Sequence, residues 1–182
     1  HQGWIYFGRD NTGTSKYNTR GFGENQDRQR GPLITKPARY DIASGVTTDY
    51  RKPISVDVEF QYNHGDEGMR SYHAETSLNW NQSIHFSHSI GIGWSQTYDA
   101  DQWLFNRAND GSQTGVTGIG GVDYVFGKLD QTTTDITLRS NIIFNRDQSL
   151  QIYMQPFITT GSYKNASWLA TPDSYDLRQY DY

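Results

Sequence analysis

Three acidic residues come closest to offering chemistry: Asp57, Glu59 and Glu75. Cleavage of a glycosidic bond needs two carboxyl groups flanking it, one to protonate and one to attack or to activate water. In this chain they fall on neighbouring segments and on the polar side of each. Nothing in the spacing brings an acid, a base and a substrate cleft together, so no catalytic residue is assigned and no enzyme is expected. Carboxylates so placed more often line a pore or pair with a cation, and Arg139 is the inward-facing cation that would answer them. His64, Asp66 and Glu67 share a glycine-flanked turn and carry donors that a divalent cation accepts, but their spacing matches no ligand motif. His85 and His88 are three apart on an extended segment, so they point to opposite faces and cannot share one metal. No metal and no cofactor are expected. The glycine-rich run at 115–121 precedes no helix that could hold phosphate, and it reads as loop. Trp103, Tyr163 and Trp168 could stack on sugar rings, although packing within loops is the commoner role.

The elements that position these residues are strands. Ile54, Val56, Val58, Phe60 and Tyr62 alternate with Ser55, Asp57, Glu59 and Gln61, a period of two. The same alternation runs through 40–50, 72–80, 84–94, 134–144 and 150–158, with a weaker strand at Trp4–Phe7. Segment 122–144 reads as one long strand. No helix of useful length is expected. Short turns fall at 51–53, 81–83 and 145–148. Long polar loops fall at 9–37, 63–70, 96–121 and 160–182, rich in Gly, Asn, Asp, Thr and Tyr. Short turns at one end and long loops at the other match the layout of an outer-membrane barrel.

Composition narrows the choice. The 182 residues include 18 Gly, 13 Tyr and no Cys, with a net charge of −4. Absent cysteine excludes disulfide scaffolds and thiolate chemistry. The charge leaves no basic footprint, so nucleic acid is not an expected partner. Apolar residues make up 34%, below the roughly 45–50% of ordinary soluble domains. A soluble sandwich would also alternate apolar and polar residues. Three features favour lipid instead. The strands run to a bilayer-spanning length, aromatics end the apolar rows, and the polar face carries Gly and Ser where a solvated strand prefers Lys, Glu or Thr. Lipid facing the apolar side would also explain the low apolar fraction, because no dry core has to be filled.

Two stretches carry a family likeness. The first is Arg30-Gly31-Pro32-Leu33-Ile34-Thr35-Lys36-Pro37 with Val46-Thr47-Thr48-Asp49-Tyr50-Arg51-Lys52-Pro53. The second runs from Tyr124-Val125-Phe126-Gly127-Lys128-Leu129 to Ile152-Tyr153-Met154-Gln155-Pro156-Phe157. Both resemble the C-terminal domain of bacterial outer-membrane proteins of unassigned function, in which a family-nine-like carbohydrate-binding module precedes a predicted β-barrel. The resemblance implies an outer-membrane location and barrel architecture, and it supplies no catalytic residue. It also implies that the barrel continues past Tyr182; the chain opens on His1 rather than Met and so reads as a piece of something larger.

The expectation is therefore an all-β chain, residues 1–182, forming part of one antiparallel transmembrane β-barrel in the bacterial outer membrane. About seven strands are expected, closed by further sequence or by a partner chain. Ile54, Val56, Val58, Phe60, Leu78, Ile90, Ile92, Ile136, Leu138, Ile142, Leu150 and Ile152 should face lipid. Asp57, Glu59, Gln61, His73, Glu75, Asn79, Arg139, Asn141, Gln151 and Gln155 should face the lumen. Tyr40, Tyr50, Tyr62, Tyr72, Trp80, Trp94 and Phe144 should lie at the interfaces. Expected partners are membrane lipid, the remaining barrel strands and carbohydrate. The expected role is a membrane-embedded scaffold or pore linked to uptake or display of an extracellular polymer. The alternative is a soluble extracellular sandwich that binds carbohydrate, with a glycoside-active enzyme behind it.

Overall fold

The computed structural model describes residues 1–15, 31–109, 111 and 119–179. The alternating segments form strands because extended backbone sends successive side chains to opposite faces. In chain order these are β1 (Gln2–Asp10), β2 (Gly13–Ser15), β3 (Ile34–Lys36), β4 (Arg39–Thr47), β5 (Ile54–Gly65), β6 (Arg70–Ser83), β7 (Phe86–Ala108), β8 (Val122–Ile143), β9 (Ser149–Met154), β10 (Phe157–Leu169) and β11 (Leu177–Gln179). The single helical element among the described residues is a 3-10 turn, Asp66–Gly68.

The fold is all-β and antiparallel. One nine-stranded sheet runs β1-β4-β5-β6-β7-β8-β10-β11, with β9 also on β8, and β2 and β3 form a separate pair. Each long strand lies beside the long strands before and after it, as in a meander. β9 and β10 meet β8 in one continuous register, from Leu138↔Met154 to Asp135↔Phe157. They are one strand interrupted at Pro156. Its carbonyl accepts from the Ile136 amide at 3.0 Å, but proline has no N–H to return, so one rung of the ladder is half made.

The long loops need correction. β7 extends to Ala108 and β10 to Leu169, so strand occupies much of 96–121 and 160–182, and β2 and β3 lie within 9–37. Past the apolar band both faces are polar or both are covered, so hydropathy no longer alternates although pairing continues. The turn expected at 81–83 falls instead at Ile84 and His85, where the His85 amide donates to Ser83 Oγ at 3.1 Å. The Asn145 turn sits where expected, with Asp147 N–H donating to Asn145 Oδ1 at 2.9 Å.

The dry core lies at the long-loop end. Ile34, Tyr124, Phe126 and Leu169 are buried together, with Trp103, Ile119, Val122 and Leu177 against them. A parallel bridge from Ile34 to Ser174 and Thr35 N–H to Ser174 O at 3.0 Å fasten β3 over this cluster.

Candidate functional site

Strand pairing sorts the side chains into two faces. Antiparallel partners sit side by side on one face, and the register extends this across the sheet. Val46, Val58, Thr76, Ile92 and Ile136 form one row of the apolar face, and Leu78, Ile90, Leu138 and Met154 form the next. Ile54, Val56, Phe60, Ile142, Leu150 and Ile152 share that face. Ile54, Val58, Phe60, Leu78, Ile90, Ile92, Ile136, Leu150 and Ile152 are 40–56% exposed. Contacts between elements run chiefly along the sheet, with the 3-10 turn against β7. Among the described residues no second layer covers this apolar band; β3 packs beyond it, at Tyr124 and Phe126. Tyr62 and Tyr72 end it on one side with ring centroids 5.0 Å apart, and Tyr40 and Trp94 lie on the same face. Trp80 lies near the other end, while Tyr50 and Phe144 fall in the turns.

His88 is the polar intruder. Its Nδ1 lies 2.8 Å from Ser140 Oγ and its ring 5.7 Å from that of Trp80, so a neighbour on its own face satisfies it. His64 stacks on Tyr62. Among the described residues no three His, Asp, Glu or Cys groups converge in a way that could hold a metal.

The opposite face gathers the polar residues. One row crosses seven strands: Trp4, Gly45, Glu59, Glu75, Gly93, Asp135 and Phe157. Glu59 and Glu75 are direct cross-strand partners, a like-charge pair that opposes folding. His73 Nε2 approaches Glu75 Oε2 at 3.8 Å, and Gln61 is the partner of His73. A Cβ at Gly93 would strike the Asp135 carboxylate, with Cγ at 3.1 Å, so glycine there makes room for the acid. Glu59, Glu75 and Asp135 thus rise from one face of the sheet.

Nearer the short turns the face is hollowed. A cavity of about 840 Å³ is lined from β5 through β9, by Asp57, Asn79, Ser89, Arg139, Asn141, Gln151 and Tyr153 among others, with Tyr50 from the turn after β4. A flat sheet has no such hollow, so the polar face is concave here. Asp57 Oδ2 accepts from Asn79 Nδ2 at 2.9 Å and Ser77 Oγ at 3.3 Å. The Arg139 guanidinium lies 5.1 Å over the Tyr153 ring and forms none of the observed salt bridges among the described residues. Tyr153 O–H donates to Gln155.

Sequence reasoning missed the aromatics of β1. Trp4 pairs with Gly45 and Tyr6 with Ala43, which puts both rings on the polar face and Ile5 and Phe7 on the other. The indole of Trp4 lies over Gly45, where a Cβ would come within 2.7 Å. The signal was the glycine, but its meaning depended on the register. At the long-loop end a second acidic group forms: burial, with Asp99 alongside, raises the Asp101 carboxyl to about 7. Burial and the charges of Asp101, Glu67 and Asp99 raise the Tyr175 phenol.

No curated protein and no solved structure matches the chain. A family model does match, over residues 10–180. The chain therefore belongs to the family described as a domain of unknown function, DUF5916.

Proposed function

We propose that this chain is part of an outer-membrane β-barrel, a membrane-embedded scaffold or pore with its apolar face in lipid and its polar face toward the lumen. The observation that carries the reading is the uncovered apolar band. Water would penalise so many exposed Ile, Val and Phe side chains at about 25 cal/mol per Å², whereas hydrocarbon solvates them at no cost. The band approaches the roughly 25 Å apolar belt of such barrels. On β5, Ile54 to Tyr62 is eight residue steps, ~27 Å along the strand and ~20 Å along the normal at a tilt of about 40°. The concave polar face supports the same orientation. Within lipid, the free edges of β1 and β9 would leave backbone groups unpaired at several kcal/mol each, so further strands, from the same or another chain, must continue the sheet. A role in uptake or display of an extracellular polymer follows from the resemblance alone.

The chain has no cysteine, and any cysteine elsewhere in the full-length protein would first be replaced by serine. Val58→Cys and Gln61→Cys would be placed in the full-length protein in native membranes. A charged, water-soluble maleimide should leave position 58 unmodified and react at position 61. Equal reaction at both would overturn the orientation, and release of the protein from membranes by carbonate would overturn the barrel.

A further inference from the structure

We propose that the hollow at the short-turn end of the polar face binds a neutral oligosaccharide. Its volume of about 840 Å³ is that of a ligand site, which ranges over roughly 300–1,000 Å³. Its lining is nearly neutral, with Asp57 the one acid and Arg139 the one guanidinium, so it suits neither a polyanion nor a polycation. Most of the rest is amide and hydroxyl, from Asn79, Asn141, Gln151 and the serines of β5 and β7, with His88 and Ile152 also at its wall. Amides and hydroxyls donate and accept together, as sugar hydroxyls do. Asn141 reaches the hollow from β8, beside Arg139.

Two rings complete the site. Tyr50 and Tyr153, 73% and 56% exposed, stand on opposite sides of the hollow and offer flat apolar surface to the C–H face of a pyranose. The parts are held before any ligand arrives: Asn79 and Ser77 orient Asp57, and Arg139 lies against Tyr153. Preorganisation of this kind lowers the entropy lost on binding. The site goes beyond the barrel reading, and the lining residues named for it all belong to this chain.

Calorimetry on the detergent-solubilised full-length protein tests it, with maltohexaose, cellohexaose, xylohexaose and chitohexaose as probes. At least one should bind. Tyr153→Ala should weaken that binding about 3–10-fold, as should Asn141→Ala, while Thr159→Ala, outside the hollow, should leave it unchanged. The sinking results are no binding of any probe at millimolar concentration, or binding that ignores Tyr153→Ala and Asn141→Ala. Either result with the cysteine pattern intact removes this site and leaves the barrel standing.

Discussion

At the scale of the residue, parity decides the face of the sheet. Val58 and Gln61 are three apart on β5 and face opposite ways, so on the proposed barrel reading the same cation placed at each would meet different media. Val58→Arg should cost about 2–4 kcal/mol, the penalty for arginine near mid-bilayer, while Gln61→Arg, beside His73 and near Glu59 and Glu75, should be mild. Urea titration of the protein refolded into lipid vesicles would measure both, and equal costs would contradict the assignment. Gly93 shows what a small residue does here: it leaves the Asp135 carboxylate lying over the strand, where any side chain would push it away. His88 illustrates the reverse, a polar group tolerated on the apolar face because Ser140 is its cross-strand partner.

At the scale of the element, continuity of strands matters more than their formal ends. Pro156 divides β9 from β10 in name, yet the register on β8 passes through it unbroken. Proline survives there because the interruption falls on a strand at the margin of the observed sheet. Pro156→Ala would return the missing donor to Ile136, so the new amide at position 156 should be protected in hydrogen exchange and stability should rise by about 1 kcal/mol. Fast exchange at that amide would show that the two pieces are independent. The ion pair in the β4–β5 turn belongs to this scale too. Arg51 Nε donates to Asp49 at 2.9 Å, which holds the Asp49 carboxyl below its usual range, and it tidies the turn while adding little stability at so exposed a position.

At the scale of the whole molecule, the sheet has two regimes: an apolar band with no second layer among the described residues, and a long-loop end with its own small core. Asp101, past the Trp94 belt, belongs to the second. Its carboxyl is raised from 3.8 to about 7, so the folded end holds a proton that the unfolded chain releases. Its contribution is full below pH ~4 and is lost as pH rises through about 7. Amides of Tyr124–Phe126 should therefore exchange faster at pH 8 than at pH 5 after correction for the intrinsic rate, and Asp101→Asn should flatten the difference. A difference that persists in the variant would assign it to another group. The sequence by itself determined the strands of the apolar band, which side chains share a face, and two of the three short turns, because period two and turn chemistry are local. The spaced motifs pointed to a family of unassigned function, and the chain does belong to a domain family of unknown function. Tertiary structure alone decided how far β7 and β10 run, since pairing continues where hydropathy stops alternating. It also decided that Trp4 and Tyr6 join the polar face, which depends on the register of β1 against β4. The hollow between Tyr50 and Tyr153 belongs to that second group, because curvature is a property of many strands together and no stretch of one strand encodes it.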